Sequence, residues 1–223
     1  MTKNRKHLSN QQIARYFNRK HPKKDVIYMG RKLPLKKKRK KTKIDVKTFV
    51  TPNDLIVKKF LKSQKINIDL PNDKKVHQIQ KAVVKYMKYI PDKNLTGVDE
   101  CWLFPFETIH MKSGDCEDGA ILMASMMINA KVPSFRVRVA AGYVQSAPTA
   151  PQGGHGYCCY LRESDNQWVV IDWCYFEDSK IPVEKKPIIN KNKKYKKVWF
   201  SFNNKFSWAN KRFEFNNRKD LEK

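Results

Sequence analysis

The 223-residue sequence predicts an α+β fold, on three observations. Residues 115–130 are apolar nearly all round, with Ala120, Ile121, Met123, Ala124, Met126, Met127 and Ile128, and a helix of that kind belongs in the interior of a core. Directly after it the apolar period drops from roughly 3.6 to 2, because Phe135, Val137 and Val139 alternate with Arg136 and Arg138. Two further runs, 155–161 and 167–173, read as strands joined by the turn-like Glu163-Ser164-Asp165-Asn166. A buried helix followed by an antiparallel meander is an α+β arrangement.

The elements follow in order. Residues 1–50 are dominated by Lys, Arg and Asn with little apolar periodicity, and such a density of like charge predicts a mobile N-terminal arm. A domain is expected over 51–200. It opens at Thr51-Pro52-Asn53, where Asn53 is placed to cap a short helix with Leu55, Ile56, Phe60 and Leu61 on one face. Val76, Ile79, Val83, Met87 and Ile90 recur every three or four positions, the pattern of an amphipathic helix that Pro91 stops. Asp115 is a good N-cap with Asp118 three residues on, so the interior helix starts at Cys116, and Pro133 lies beyond its end. The strand with Arg136 and Arg138 should have one wet face. Further on, Val198, Phe200 and Phe202 share one face of another strand, and residues 201–223 are expected to form a basic, aromatic extension.

Charge separates core from flanks. The formal net charge of +26 is distributed as +16 over residues 1–50, +4 over 51–100, −4 over 101–178 and +10 over 179–223. The middle is slightly acidic and both ends strongly basic. The run Lys36-Lys37-Lys38-Arg39-Lys40-Lys41 fits contact with nucleic acid or another polyanion, or a nuclear-import signal. There is no run of about 18 apolar residues and no apolar stretch of a secretory leader, so the expectation is a cytoplasmic chain, or a nuclear one or part of a nucleoprotein particle, that is neither secreted nor in a membrane. The five cysteines, Cys101, Cys116, Cys158, Cys159 and Cys174, are odd in number and lack CxxC spacing, which argues against a disulfide framework and a structural zinc site. His7, His21, His77 and His110 have no metal-ligand spacing, so no metal or cofactor is expected.

A nucleophilic cysteine needs a lowered pKa, an imidazole to move protons and a third group to orient the ring. Cys116 at the first turn of a buried helix meets the first requirement, because unpaired N–H groups and the helix dipole favour a thiolate there. His155 sits in Gly153-Gly154-His155-Gly156, where glycines let a substrate backbone approach, and Asp172 ends the neighbouring strand. Adjacent antiparallel strands thus present a base and its orienter. A lone cysteine at a helix start is usually structural; the ordered His and Asp weigh against that here. For Glu117 and Asp118 the commoner role is helix capping.

Ser113-Gly114-Asp115-Cys116-Glu117-Asp118 resembles the GDCED signature of transglutaminase-like cysteine proteinases, and Gly142-Tyr143-Val144, Gly154-His155-Gly156-Tyr157 and Trp168 through Asp172 resemble the blocks that follow it, in the same order. The resemblance spans residues 99–178. It implies a papain-like core with Cys116 as nucleophile, His155 as general base and acid, and Asp172 as orienter, acting on a protein or peptide substrate. Trp102, Pro105, Glu107 and Thr108 resemble the block that precedes the cysteine, and Trp102 is the candidate side-chain donor to an oxyanion. The activity implied is amide hydrolysis, by a peptidase or amidase, or acyl transfer from glutamine, each through a thioester. The alternative is a non-enzymatic module that keeps the fold and grips a polyanion with its basic flanks.

Overall fold

The computed structural model describes residues 9–19, 28–35, 38–176 and 178–209. Helix α1 (Asn10–Arg19) is followed by a hairpin of β1 (Tyr28–Leu35) and β2 (Lys38–Asp45), then by α2 (Leu55–Ser63), α3 (Asn72–Tyr86) and a two-residue strand β3 (Lys88–Tyr89). The short helices α4 (Asp92–Thr96) and α5 (Pro105–Met111) lead to β4 (Ser113–Gly114) and α6 (Cys116–Asn129). Five strands follow: β5 (Val137–Val144), β6 (Gly153–Leu161) and β7 (Trp168–Ile171) run as a meander, and the chain then crosses to the other side of β5 for β8 (Tyr195–Phe202) and β9 (Ser207–Ala209). The last five strands form one antiparallel sheet in the order β7-β6-β5-β8-β9.

Helix α6 is interior because something covers every side of it. One side lies on β5 and β6, and α2, α3 and α5 close the others. Residues 117–127 are all buried, so an all-round apolar sequence meets apolar neighbours all round. At its start β3 pairs with β4 in parallel, Lys88 opposite Ser113 and Tyr89 opposite Gly114, which ties the end of α3 to the residue pair just before Asp115. At the far end of α3, Asp73 accepts hydrogen bonds from the Tyr160 hydroxyl at 2.7 Å and from the backbone N–H groups of Glu163 and Ser164, pinning that helix to the β6–β7 turn.

Several local expectations shift in the folded chain. Asp54 caps α2 instead of Asn53, its carboxylate accepting from the Ile56 N–H, and this turns Leu55 and Ile56 outward while Val57, Phe60 and Leu61 face the core. Helix α3 stops at Tyr86, ahead of Pro91, because the chain is needed for β3. Arg136 and Arg138 are not on a wet face. β5 is the middle strand, and both of its faces are covered. Arg136 donates to the carbonyls of Leu161 and Arg162, and Arg138 is fully buried with its guanidinium 4.9 Å from the Trp168 ring and 3.8 Å from that of Trp208. Burial lowers the Arg138 pKa to about 9.

The expected boundaries move outward at both ends. The lysine density of residues 1–50 predicts a mobile arm, yet the segment holds α1 and the β1–β2 hairpin, and its last turn puts Val46 and Phe49 wholly inside the core. Of the basic run, Lys36 and Lys37 lie outside the described residues and Lys38, Arg39, Lys40 and Lys41 run along β2. At the other end β8 continues through Phe202 and β9 adds a fully buried Trp208, so part of the expected extension is the sheet edge, and residues 210–223 lie outside the described part. Among the described residues no helix is long and apolar enough to cross a membrane.

The core placement of α6 predicts that Ile121→Ala lowers unfolding free energy by about 2–5 kcal/mol, whereas Leu55→Ala, on the outer face of α2, stays within about 0.5 kcal/mol; urea denaturation of the two variants measures both.

Candidate active site

Cys116 lies where the tip of α6 touches β6, one residue along from His155, and His155 in turn is bonded to Asp172. Gly156 is the contact. A Cβ added to it would lie 2.8 Å from the Glu117 Cβ and 2.9 Å from the Glu117 Cα, so only glycine lets strand and helix tip come this close. The Gly156 N–H points at Cys116 Sγ from 3.2 Å, which sets the sulfur one residue away from His155. The helix tip is further fixed by Trp173, whose indole N–H donates to the Cys116 carbonyl at 3.0 Å, and by Asp118, whose carboxylate accepts from the backbone N–H groups of Asp115 and Leu103.

His155 is buried, and its Nε2 lies 2.7 Å from Asp172 Oδ2. With the carboxylate ionised, that nitrogen carries the proton and Nδ1 is left as the basic nitrogen. Asp172 is fully buried and more than satisfied: Oδ2 also accepts from the Tyr195 hydroxyl at 2.7 Å, and Oδ1 faces the N–H groups of Trp173, Cys174 and Tyr175. Burial alone would raise its pKa, but the hydrogen bonds from His155, Tyr195 and the Cys174 N–H outweigh it and hold the carboxyl below its ordinary value. Gln80 of α3 donates to the Asp172 carbonyl at 2.7 Å and braces the loop from behind.

The thiol is in a different electrostatic state from the one the helix dipole alone suggests. Cys116 Sγ donates to Glu117 Oε2 at 3.2 Å, and no hydrogen bond joins it to the imidazole among the described residues. Its pKa is pushed up, first by burial and then by the charges of Glu117 and Asp115. Two carboxylates at the sulfur oppose the thiolate more than the first turn of α6 favours it.

Those two belong to a larger group. Oxygens of Asp92, Glu100 and Glu117 lie within 4.8 Å of one another, and so do those of Asp92, Asp115 and Asp118. The neighbouring charges that raise Asp92, Glu117 and Asp118 are other carboxylates; burial followed by Asp115 and Glu100 brings Asp92 to about 7. Asp92 Oδ1, Asp115 Oδ1 and Glu117 Oε1 are buried with no hydrogen-bond partner. Carboxylates this close together, with an unpaired buried oxygen on Asp92 and on Glu117 and no sulfur or nitrogen in the Asp92-Glu100-Glu117 group, suit a hard cation such as Ca²⁺. The sequence predicts no metal, from the spacing of its cysteines and histidines, which leaves these carboxylates unweighed. Asp92 and Glu100 are remote from Cys116 in sequence, and the one available signal was local charge inversion: seven acidic against two basic residues between positions 92 and 118 of a lysine-rich chain. Tyr195 was missed for the same reason of distance.

Trp102 is placed in the core, stacked with Phe202 at 5.6 Å between ring centroids, and its indole N–H donates to Glu100 Oε1 at 2.7 Å. That N–H is therefore committed to the acidic cluster. His77 bonds the Ser179 carbonyl and plays no part in the site.

A thiol-tipped interior helix on one face of an antiparallel sheet, with the imidazole on β6 beside it and the carboxylate just past the end of the neighbouring β7, is a transglutaminase-like fold. Structures of LapG from Legionella pneumophila, a transglutaminase-like cysteine protease, are similar to it: one has a TM-score of 0.52 and 22% identity over 74% of this chain and 80% of LapG. The EGTA-treated form of LapG gives 0.51 and 21% over the same shares, and the calcium-bound form 0.51 and 19% over 74% of this chain and 85% of LapG. No family model and no curated protein matches the sequence.

The close contact at Gly156 predicts that Gly156→Ala costs about 1–3 kcal/mol of stability and slows alkylation of Cys116 by iodoacetamide, since the methyl group must push the helix tip off the strand; thermal denaturation and mass-mapped labelling measure the two effects.

Proposed function

We propose that this protein is a cysteine peptidase that cleaves amide bonds in a polypeptide through a thioester on Cys116. The observation that carries the reading is the placement of a thiol at the open tip of α6, 3.2 Å from the N–H of Gly156 and next to an imidazole whose far nitrogen is held by the buried Asp172. Cys116 Sγ attacks the carbonyl carbon, and its proton passes to Nδ1 of His155. The Cys116 N–H at the start of α6 is the candidate donor to the oxygen that becomes negative, because the Asp115 carboxylate takes the N–H groups that follow it. His155 then gives the proton to the leaving nitrogen as the C–N bond breaks, and Asp172 keeps the ring in the tautomer and orientation for both transfers. Water, deprotonated by the same Nδ1, hydrolyses the thioester and restores the thiol.

The carboxylates around the sulfur call for a counter-charge. A LapG structure is calcium-bound, and the unpaired oxygens of Asp92, Asp115 and Glu117 fit the same kind of ion. Asp92, Glu100 and Glu117, with Asp115 close by, would hold such a divalent cation, and it would supply positive charge next to a site that otherwise resists a thiolate. With Glu117 neutralised, His155 is the stronger claimant for the thiol proton.

Two outcomes follow. Iodoacetamide labels Cys116 in the wild type, and Cys116→Ala loses that modification together with all hydrolysis of a denatured protein substrate while keeping its thermal midpoint; hydrolysis undiminished in Cys116→Ala would refute the reading. Added Ca²⁺ raises the melting temperature by several degrees and EGTA reverses it, whereas Glu117→Gln shows a much smaller shift; calorimetric titration with Ca²⁺ checks the binding directly.

A further inference from the structure

Four exposed aromatic side chains lie on the segments that carry the site: Tyr89 and Tyr175, and the pair Tyr143 and Trp199 over Gly154. Tyr89 packs beside Trp173, and Tyr175 lies over the His155 ring at 5.2 Å. The second pair is built in a way that core packing does not require. On β8, Val198 is opposite Gly142 and Phe200 opposite Ala141, so Trp199 is the extra residue of a β-bulge, and a bulge beside a reactive centre serves to re-aim a side chain. The indole crosses β5 to lie over Gly154 of β6, where an added Cβ would come within 3.0 Å of the ring. Tyr143, cross-strand from Gly154, meets the indole edge to face at 4.8 Å. Both rings stay about two-fifths exposed, Tyr143 at 38% and Trp199 at 40%.

The backbone beneath them is also unpaired on one side. β7 pairs with β6 only from Cys158 to Leu161, so among the described residues no strand pairs with 153–157 on that flank. The Gly156 N–H points outward from that edge to the thiol, and by the two-residue alternation of a strand the N–H and C=O of Gly154 point the same way, about 6.6 Å further along. An extended peptide can add to that edge with its main chain on Gly154 and its reacting carbonyl at Cys116. Gly154 and Gly156 share the α6 face with Cys158 and Tyr160, while His155 projects to the opposite face beside Tyr157. The leaving amine must reach His155, so the acyl portion of the substrate is the part that lies over Gly154.

We infer that Trp199 and Tyr143, seated on Gly154, form the subsite for a bulky apolar side chain two residues before the cleaved bond, so that the substrates are extended polypeptide segments with an aromatic or large aliphatic residue at that position. This inference rests on Cys116 being the nucleophile. Aromatic walls give such a side chain a flat surface to bury against, and glycine beneath them leaves the room it needs.

The test uses two peptidyl chloromethyl ketones that differ only in the residue preceding the reactive one, Phe in the first and Ser in the second, with iodoacetamide as a reporter of the thiol alone. In the wild type the Phe reagent labels Cys116 about tenfold faster than the Ser reagent, and in Trp199→Ala the ratio falls to near one. Gly154→Ala, which pushes the indole from beneath, reduces the ratio as well. Equal rates for the two reagents in the wild type, or a preference that survives Trp199→Ala, overturn the subsite while iodoacetamide still reports an intact nucleophile. If iodoacetamide fails to modify Cys116, the peptidase reading falls and the subsite with it.

Discussion

Everything at the candidate site depends on how closely the tip of α6 approaches β6, and a missing side chain at Gly156 sets that approach. With the Glu117 main chain inside the space a methyl group would fill, the helix start and the strand are in backbone contact. That contact places a sulfur beside the Gly156 N–H, and a strand residue carrying an imidazole comes next in the chain. The rest of the domain maintains the contact. The sheet and three helices enclose α6, the β3–β4 pair holds the residues just before it, and Trp173 grips its first carbonyl from the Asp172 loop.

A second constraint works against the first. An interior helix tip is dry, and five carboxyl groups gather around it. Burial raises all of them, repulsion from neighbouring carboxylates adds to it for Asp92, Glu100, Glu117 and Asp118, and the charges of Glu117 and Asp115 raise the thiol. A fold keeps such an arrangement at a cost in stability, and three of its oxygens have no protein partner. Asp172 shows the opposite solution: equally buried, it receives hydrogen bonds on both oxygens and stays ionised. The fold thus holds two kinds of buried carboxylate, one saturated with donors and one short of them. The saturated one orients a base, and the other is suited to a cation.

The basic character of the chain is laid out around this acidic centre. Its lysine-rich hairpin and flanks are remote in sequence from the residues that carry the chemistry, and nothing in the site requires them. What the site does use from the C-terminal third is aromatic: Tyr195 secures Asp172, and Trp199 reaches over Gly154. Both come from β8, which joins the sheet on the far side of β5 from β6.

The sequence alone determined the α+β class, the helix start at Cys116 and the order of the three chemical blocks, because each is written within a few residues: a cap followed by an apolar run, a change of period, a histidine among glycines. It misjudged what depends on position in the fold. Arg138 read as solvent-facing until a central strand with both faces covered buried it, Arg136 until the turn before that strand set it against the carbonyls of Leu161 and Arg162, and Trp102 read as an open donor until the Glu100 carboxylate took its N–H. Only the tertiary structure decided the carboxylate cluster, the Tyr195 hydroxyl on Asp172 and the bulge that aims Trp199. Each joins segments of chain that carry no local pattern in common, and proximity between such segments is created by packing the sheet against α6.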